Sequence, residues 1–215
     1  MTDQATPSIS FGSVYEDALV RRSHELLAMA HMRLVSADLA SLEETDITGK
    51  LCDEMNAVLN GYDAPDWAPL VTVVDDQPES VGGKTGKRRP RTDVCVRCIN
   101  PRPEHRFRFE AKRLNEKAAL SVYLGDTGML ALIQGYYGEL SQAGMIGYVQ
   151  TATPAVWRGR IQNALRDAPQ KYEVVEPVEF KPLGVGVPEP VFCSQHSASS
   201  GEAGRRITHA LIQCA

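Results

Sequence analysis

Between Arg106 and Lys112 the chain alternates strictly, with Phe107, Phe109 and Ala111 on one parity and Arg106, Arg108, Glu110 and Lys112 on the other. A period of two is the signature of an extended strand whose side chains project to opposite faces. The segment therefore has to lie in a sheet, with its phenylalanines against a core and a carboxylate and an ammonium together on the other face. Val94 and Val96 mark a second strand just upstream. If the two run antiparallel, Asp93 comes close to Glu110, and two carboxylates then offer the hard oxygen ligands that suit Mg²⁺ or Mn²⁺. The same pattern also serves an ordinary half-buried strand with a solvated charged face, on which Glu110 and Lys112 simply pair.

Charge is distributed unevenly. The 215 residues carry a formal net charge of −4, which by itself argues against a nucleic-acid partner. Yet Lys84, Lys87, Arg88, Arg89, Arg91, Arg97, Arg102, Arg106, Arg108, Lys112 and Arg113 are eleven of the 23 basic residues, and only Asp93, Glu104 and Glu110 oppose them in that window. Such a patch would neutralise phosphates and give salt-sensitive, largely sequence-independent affinity. Lys87, Arg88, Arg89, Arg106, Arg108 and Arg113 are the expected nucleic-acid contacts. A solvated hairpin is the plainer account of the same run.

The tract Arg91–Leu114 resembles the PD-(D/E)xK nucleases, the restriction-endonuclease-like superfamily, with Asp93 as the first acidic residue and Glu110-Ala111-Lys112 as the E-x-K triplet. Thr92 stands where the motif's name has proline. The resemblance implies an α/β fold: an αβββαβ core over about residues 42–150, preceded by an N-terminal helix and followed by a C-terminal β extension. It further implies that Asp93, Glu110 and the Ala111 carbonyl hold Mg²⁺ or Mn²⁺ while Lys112 orients and helps deprotonate the attacking water. An acidic residue on the first core helix completes the metal site, and Glu44 fits best, with Glu43 next; Asp46 is more simply an acidic residue near the helix N-terminus.

The remaining elements follow from local signals. Residues 1–12 are expected to be disordered and 13–215 to form one domain, since 215 residues at 43% hydrophobic content sustain one substantial core. Tyr15–Leu39 reads as a long helix, and about Thr45–Leu59 as a second, closed by Asn60-Gly61. Leu70–Val74 is a strand candidate rich in β-branched residues, and Asp75–Pro90 a connection. Helices are expected over 115–124 and 126–139, a strand over Met145–Gln150, a helix opening at Pro154, and a closing hairpin from Val191–His196 and Arg206–Ile212.

Five cysteines, Cys52, Cys95, Cys98, Cys193 and Cys214, are too sparse for a disulfide scaffold and are expected to be reduced thiols. Cys95, Cys98, Cys193 and His196 are ligand types for a Cys₃His zinc site, but residues three apart on a strand face opposite ways. One of Cys95 and Cys98 is expected in the core instead. His196 and His209 fall on the terminal strands, where packing is the ordinary role and phosphate contact or proton transfer the functional one. Tyr136 and Tyr137 are expected to pack the core, and Gln134 is a candidate to reach the phosphate side.

No apolar run of membrane-spanning length and no signal-like N-terminus occurs, so a cytoplasmic protein with no membrane partner is expected. The resemblance implies a divalent-metal-dependent DNA endonuclease of a bacterial restriction or anti-phage defence system, whose partners would be DNA, a defence protein or a second copy in a homodimer. The alternative is a catalytically silent nuclease fold that binds nucleic acid or a partner protein. A metal-free protein whose basic hairpin docks an acidic partner is the third class.

Overall fold

The computed structural model describes residues 11–34, 38–79, 81, 83, 89–99, 105–115, 119–138, 140–175, 181–182, 191–197 and 204–215. Helices α1 (Phe11–Leu34) and α2 (Glu44–Leu59) come first, followed by strands β1 (Val71–Pro78), β2 (Arg91–Cys98) and β3 (Arg106–Leu114). Two short helices, α3 (Ala119–Leu124) and α4 (Met129–Ile133), lead to β4 (Gln142–Val149). Helix α5 (Pro154–Asp167), β5 (Lys181–Pro182), β6 (Val191–His196) and β7 (Arg205–Gln213) complete the order.

Among the described residues the strands form one seven-stranded sheet in the order β1-β2-β3-β4-β7-β6-β5. The first three are an antiparallel meander. β3 then pairs parallel with β4, which requires a crossover, and α3 and α4 lie in that connection. β7 lies parallel to β4 on its other side and antiparallel to β6, so the last strand is central. The fold is mixed α/β.

Two cores sandwich this sheet. On one face Val94, Val96, Phe107, Phe109 and Ala111 pack with Leu26, Ile47, Leu51 and Met55 from α1 and α2, so the alternation of β3 is used as the sequence implies. On the other, Leu114, Met145 and Val149 pack with Tyr123, Leu132 and Trp157 from α3, α4 and α5. Among the described residues this second core draws nothing from β1 or β2, so Glu110 and Lys112 lie where helical cover gives out. Gly144 lets β3 and β4 approach: a Cβ there would lie 2.4 Å from Phe109 Cδ1. α5 starts as its sequence dictates, with Pro154 in the first turn and the Thr153 hydroxyl accepting the Val156 N–H at 3.4 Å.

Several boundaries differ from expectation. α1 already includes Phe11 and Gly12, while the rest of the segment expected to be disordered lies outside the described residues. Leu70 belongs to a 3-10 turn, and β1 extends through Asp75–Pro78 because those residues pair with Arg91–Val94. Among the described residues, the helices expected over 115–124 and 126–139 are seen as α3 and α4; glycines at 125, 128, 135 and 138 interrupt them, the last two with φ of 76° and 93°. β4 begins at Gln142 and ends at Val149. The helix over Tyr15–Leu39 ends at Leu34 as far as it is described, and its Met32 is 68% exposed. No helix among the described residues is long and apolar enough to cross a membrane.

Candidate functional site

The site forms where β2 and β3 part. Their register pairs run from Arg97↔Arg106 to Val94↔Phe109, whereas β3 continues beside β4 to Leu114. Past the last pair, Asp93 Oδ2 accepts the Ala111 N–H at 2.7 Å. A side-chain carboxylate thus satisfies a strand N–H that a continued ladder would have given to a carbonyl.

Lys112 Nζ sits at the focus of the opened strands. It donates to Glu110 Oε1 at 2.8 Å, to the Ala111 carbonyl at 2.7 Å and to Glu44 Oε1 at 3.1 Å, and lies 3.8 Å from Asp93 Oδ2. Glu110 also accepts from the Tyr137 hydroxyl at Oε2, 2.6 Å away. The Glu110 and Lys112 side chains are buried, at 7% and 9% exposure, while Asp93 and Glu44 are open at 31% and 29%. The site is therefore closed behind and wet in front.

Glu44 is the first residue of α2, where a carboxylate is favoured by the unsatisfied N–H groups of the helix start. Its Oε2 accepts the Arg113 N–H at 3.2 Å. Two contacts aim this helix end at β3. The Thr48 hydroxyl, one turn on, bonds the Tyr148 hydroxyl of β4 at 2.9 Å, and Gln150 Nε2 donates to the carbonyls of Leu39 and Leu42, which precede α2, at 3.1 and 2.8 Å.

Charge in the site is unbalanced: three carboxylates, Glu44, Asp93 and Glu110, face one ammonium. Burial works to lower the Lys112 pKa, but Glu110, Asp93 and Glu44 outweigh it and hold the group above the usual lysine value, as an ammonium. Desolvation, then the Asp93 charge, push the Glu110 carboxyl up to about 7 against the pull of Lys112 and Tyr137. Removing water penalises the charged form, and a like charge adds to the penalty. The cluster is short of positive charge on its open side.

That shortage bears on a metal. Among the described residues no group of three or more His, Cys, Asp or Glu side chains stands arranged for a cation; here the acceptors close on Lys112 instead. Their chemistry is nonetheless that of a hard cation site, since Asp93, Glu110, Glu44 and the Ala111 carbonyl present only oxygen, and a positive group already occupies their common centre. The donor atoms are of the type that suits Mg²⁺ or Mn²⁺, and in this structure the Lys112 ammonium fills the centre they share.

Several expected nucleic-acid contacts have other partners. Arg108 makes a two-pronged bond to Glu79, 2.8 and 3.0 Å, and Arg106 lies 3.7 Å from the same carboxylate. Glu79 is 2% exposed, so these guanidiniums hold the start of the β1–β2 connection to the sheet. Arg113 pairs with Glu43 at 2.7 Å on the surface. Arg89 is half-buried, and Lys87 and Arg88 lie outside the described residues.

His196 and His209 join a buried chain. Tyr123 Oη, His209, Ser194 Oγ, His196 and the Tyr172 carbonyl follow at 3.0, 2.9, 2.7 and 2.7 Å. Burial pushes both imidazoles down, to about 4 and about 3, which favours their neutral forms, and every ring nitrogen has a hydrogen-bond partner within the chain. Cys95 and Cys98 are both buried free thiols, and β3, β4 and β7 separate their strand from that of Cys193 and His196, so the zinc grouping does not assemble. Gln134 is exposed in the turn after α4.

Sequence reasoning assigned both Tyr136 and Tyr137 to the core, but Tyr136 is 49% exposed, and Tyr137, which is buried, also bonds Glu110; nothing in a Tyr-Tyr pair before a glycine signals a carboxylate partner 27 residues away. Glu79 was missed for the same reason. Compared with known protein families, curated proteins and solved structures, the chain matches none.

Proposed function

We propose that this chain is a divalent-metal-dependent DNA endonuclease with a restriction-endonuclease-like core, in which Asp93, Glu110 and Lys112 are catalytic. One observation carries the reading: Asp93, Glu110 and the Ala111 carbonyl on β2 and β3, together with Glu44 from the start of α2, all lie within 4 Å of Lys112 Nζ, where the two strands open. The order α2, three antiparallel strands, α3 with α4, then parallel β4 supports it. A bacterial restriction or anti-phage setting in the cytoplasm is carried by the resemblance of the motif.

Asp93 and Glu110, with the Ala111 carbonyl and Glu44, would hold Mg²⁺ or Mn²⁺. A cation bound there would set positive charge against the non-bridging oxygens of the scissile phosphodiester. Lys112 keeps its link to the Ala111 carbonyl, gives up the outer carboxylates, and donates to the oxygen of the attacking water. An ammonium at that place disfavours a proton on the water. As the new P–O bond forms, the attacking water releases its proton to solvent, the bond to the leaving oxygen breaks, and that oxygen takes a proton from solvent. Glu44 and Asp93, the exposed members, line the side from which DNA arrives.

Cleavage of a DNA duplex in Mg²⁺ or Mn²⁺ that stops in excess EDTA is the expected result. Lys112→Ala should keep DNA binding and lower the rate at saturating DNA and metal by about 10² to 10⁴. Asp93→Ala should weaken metal binding and cleavage together. Wild-type rates in Lys112→Ala would sink the assignment and leave Glu110 and Lys112 as a strand pair.

A further inference from the structure

Both oxygens of Glu110 are engaged by donors of different kinds. Oε1 receives the Lys112 ammonium at 2.8 Å and Oε2 the Tyr137 hydroxyl at 2.6 Å. A carboxylate's terminal torsion is otherwise broad, so two donors on its two oxygens fix the plane in which it presents its remaining lone pairs. The ammonium is the donor that has to move when a divalent cation takes the centre of the site. Tyr137 is then the donor that stays.

We propose that Tyr137 is a positioning residue, which holds the Glu110 carboxylate in the orientation that binds the divalent cation. The inference rests on the nuclease reading above. Three features keep the phenol in place. Its residue is 6% exposed. It lies on the tight turn after α4, where Tyr136 N–H bonds the Ala131 carbonyl at 3.0 Å and Gly138 N–H the Gly135 carbonyl at 2.9 Å, with positive φ at both glycines. Arg205, buried at the start of β7, donates to the carbonyls of Leu132 and Ile133 and so pins the end of α4 from which the turn departs. The central placement of the C-terminal strand thereby reaches Glu110 through Arg205, α4 and Tyr137. A phenol suits the task because it is an uncharged donor that does not compete with a cation for the site. Carboxylates that bind metals are in turn held by such hydrogen bonds, and loss of one typically costs about 10- to 100-fold in metal affinity.

The test is Mn²⁺ titration of the full chain without DNA, followed by calorimetry, for wild type, Tyr137→Phe and Glu110→Gln. Phenylalanine keeps the ring and its packing, so the thermal midpoint without metal should stay close to wild type. Mn²⁺ affinity should fall about 10-fold or more in Tyr137→Phe and further in Glu110→Gln. Cleavage by Tyr137→Phe should recover most of its rate as Mn²⁺ is raised, with DNA affinity unchanged. If wild type binds Mn²⁺ and Tyr137→Phe binds it equally well, Tyr137 only packs and this inference is overturned, while the nuclease reading stands. If wild type binds no Mn²⁺, the nuclease reading falls and takes the inference with it.

Discussion

Replacing Lys112 by Met removes the ammonium and keeps most of the stem, so it asks what the charge alone contributes to stability. Glu110 would retain only the Tyr137 hydroxyl as donor, in a site where its side chain is 7% exposed. Breaking a buried pair typically costs about 3–5 kcal/mol when the remaining charge is left uncompensated. Glu110 can avoid that cost by taking a proton. In the wild type its carboxyl is raised to about 7, and without Lys112 it rises further. The sign then follows from linkage. Above pH 7 Glu110 holds roughly one proton more in the folded variant than in the folded wild type and none in either unfolded chain, while the wild-type Lys112 keeps its proton folded and unfolded alike, so the variant loses stability relative to wild type by about 1.4 kcal/mol per pH unit. The deficit should be small at pH 6, where Glu110 is largely protonated in both proteins, and should grow by about 2–3 kcal/mol by pH 9. Urea unfolding of both proteins at pH 6, 7.5 and 9 measures it, and taking the difference at each pH cancels every other titrating group. In a Glu110→Gln background the deficit caused by Lys112→Met should no longer depend on pH. A deficit equal at pH 6 and pH 9, or one untouched by Glu110→Gln, would refute the account.

Two further outcomes follow from buried charge. His209 is held near 3 by desolvation, then by His196; its folded pKa is depressed, so the stability it allows is present above its unfolded value of about 6.5 and is lost as pH falls toward 3. Between pH 7.5 and pH 5 wild type should lose about 2 kcal/mol more than His209→Gln in denaturant unfolding, and parallel profiles would show that the ring titrates freely. Arg108→Ala removes the two-pronged partner of Glu79, 2% exposed, and leaves it, among the described residues, only Arg106 at 3.7 Å as a cation, which should cost about 3 kcal/mol, whereas Arg113→Ala, whose partner Glu43 is 68% exposed, should cost under about 1 kcal/mol; equal melting-temperature losses would contradict the burial contrast.

Period-two alternation from Arg106 to Lys112 was enough to place Phe107, Phe109 and Ala111 in a core and Glu110 beside Lys112, because alternation is a property of the extended backbone itself. The same holds for the start of α5, where Pro154 acts within one turn. Glu44 at the start of α2 and the antiparallel approach of Asp93 to Glu110 were also legible, since they need only neighbouring elements joined in the simplest way. What only the tertiary structure decided are partnerships between distant segments. The basic run promised free cations, yet Arg106 and Arg108 turn to Glu79, because a carboxylate brought under the sheet can be stabilised there only by fixed guanidiniums. The insertion of β7 between β4 and β6 and the reach of Tyr137 to Glu110 have no local signal, for both depend on where a long chain returns. Local chemistry determines which side chains share a face of a strand; the global packing that covers one half of that face and leaves the other open decides which of them meet, and which meet water.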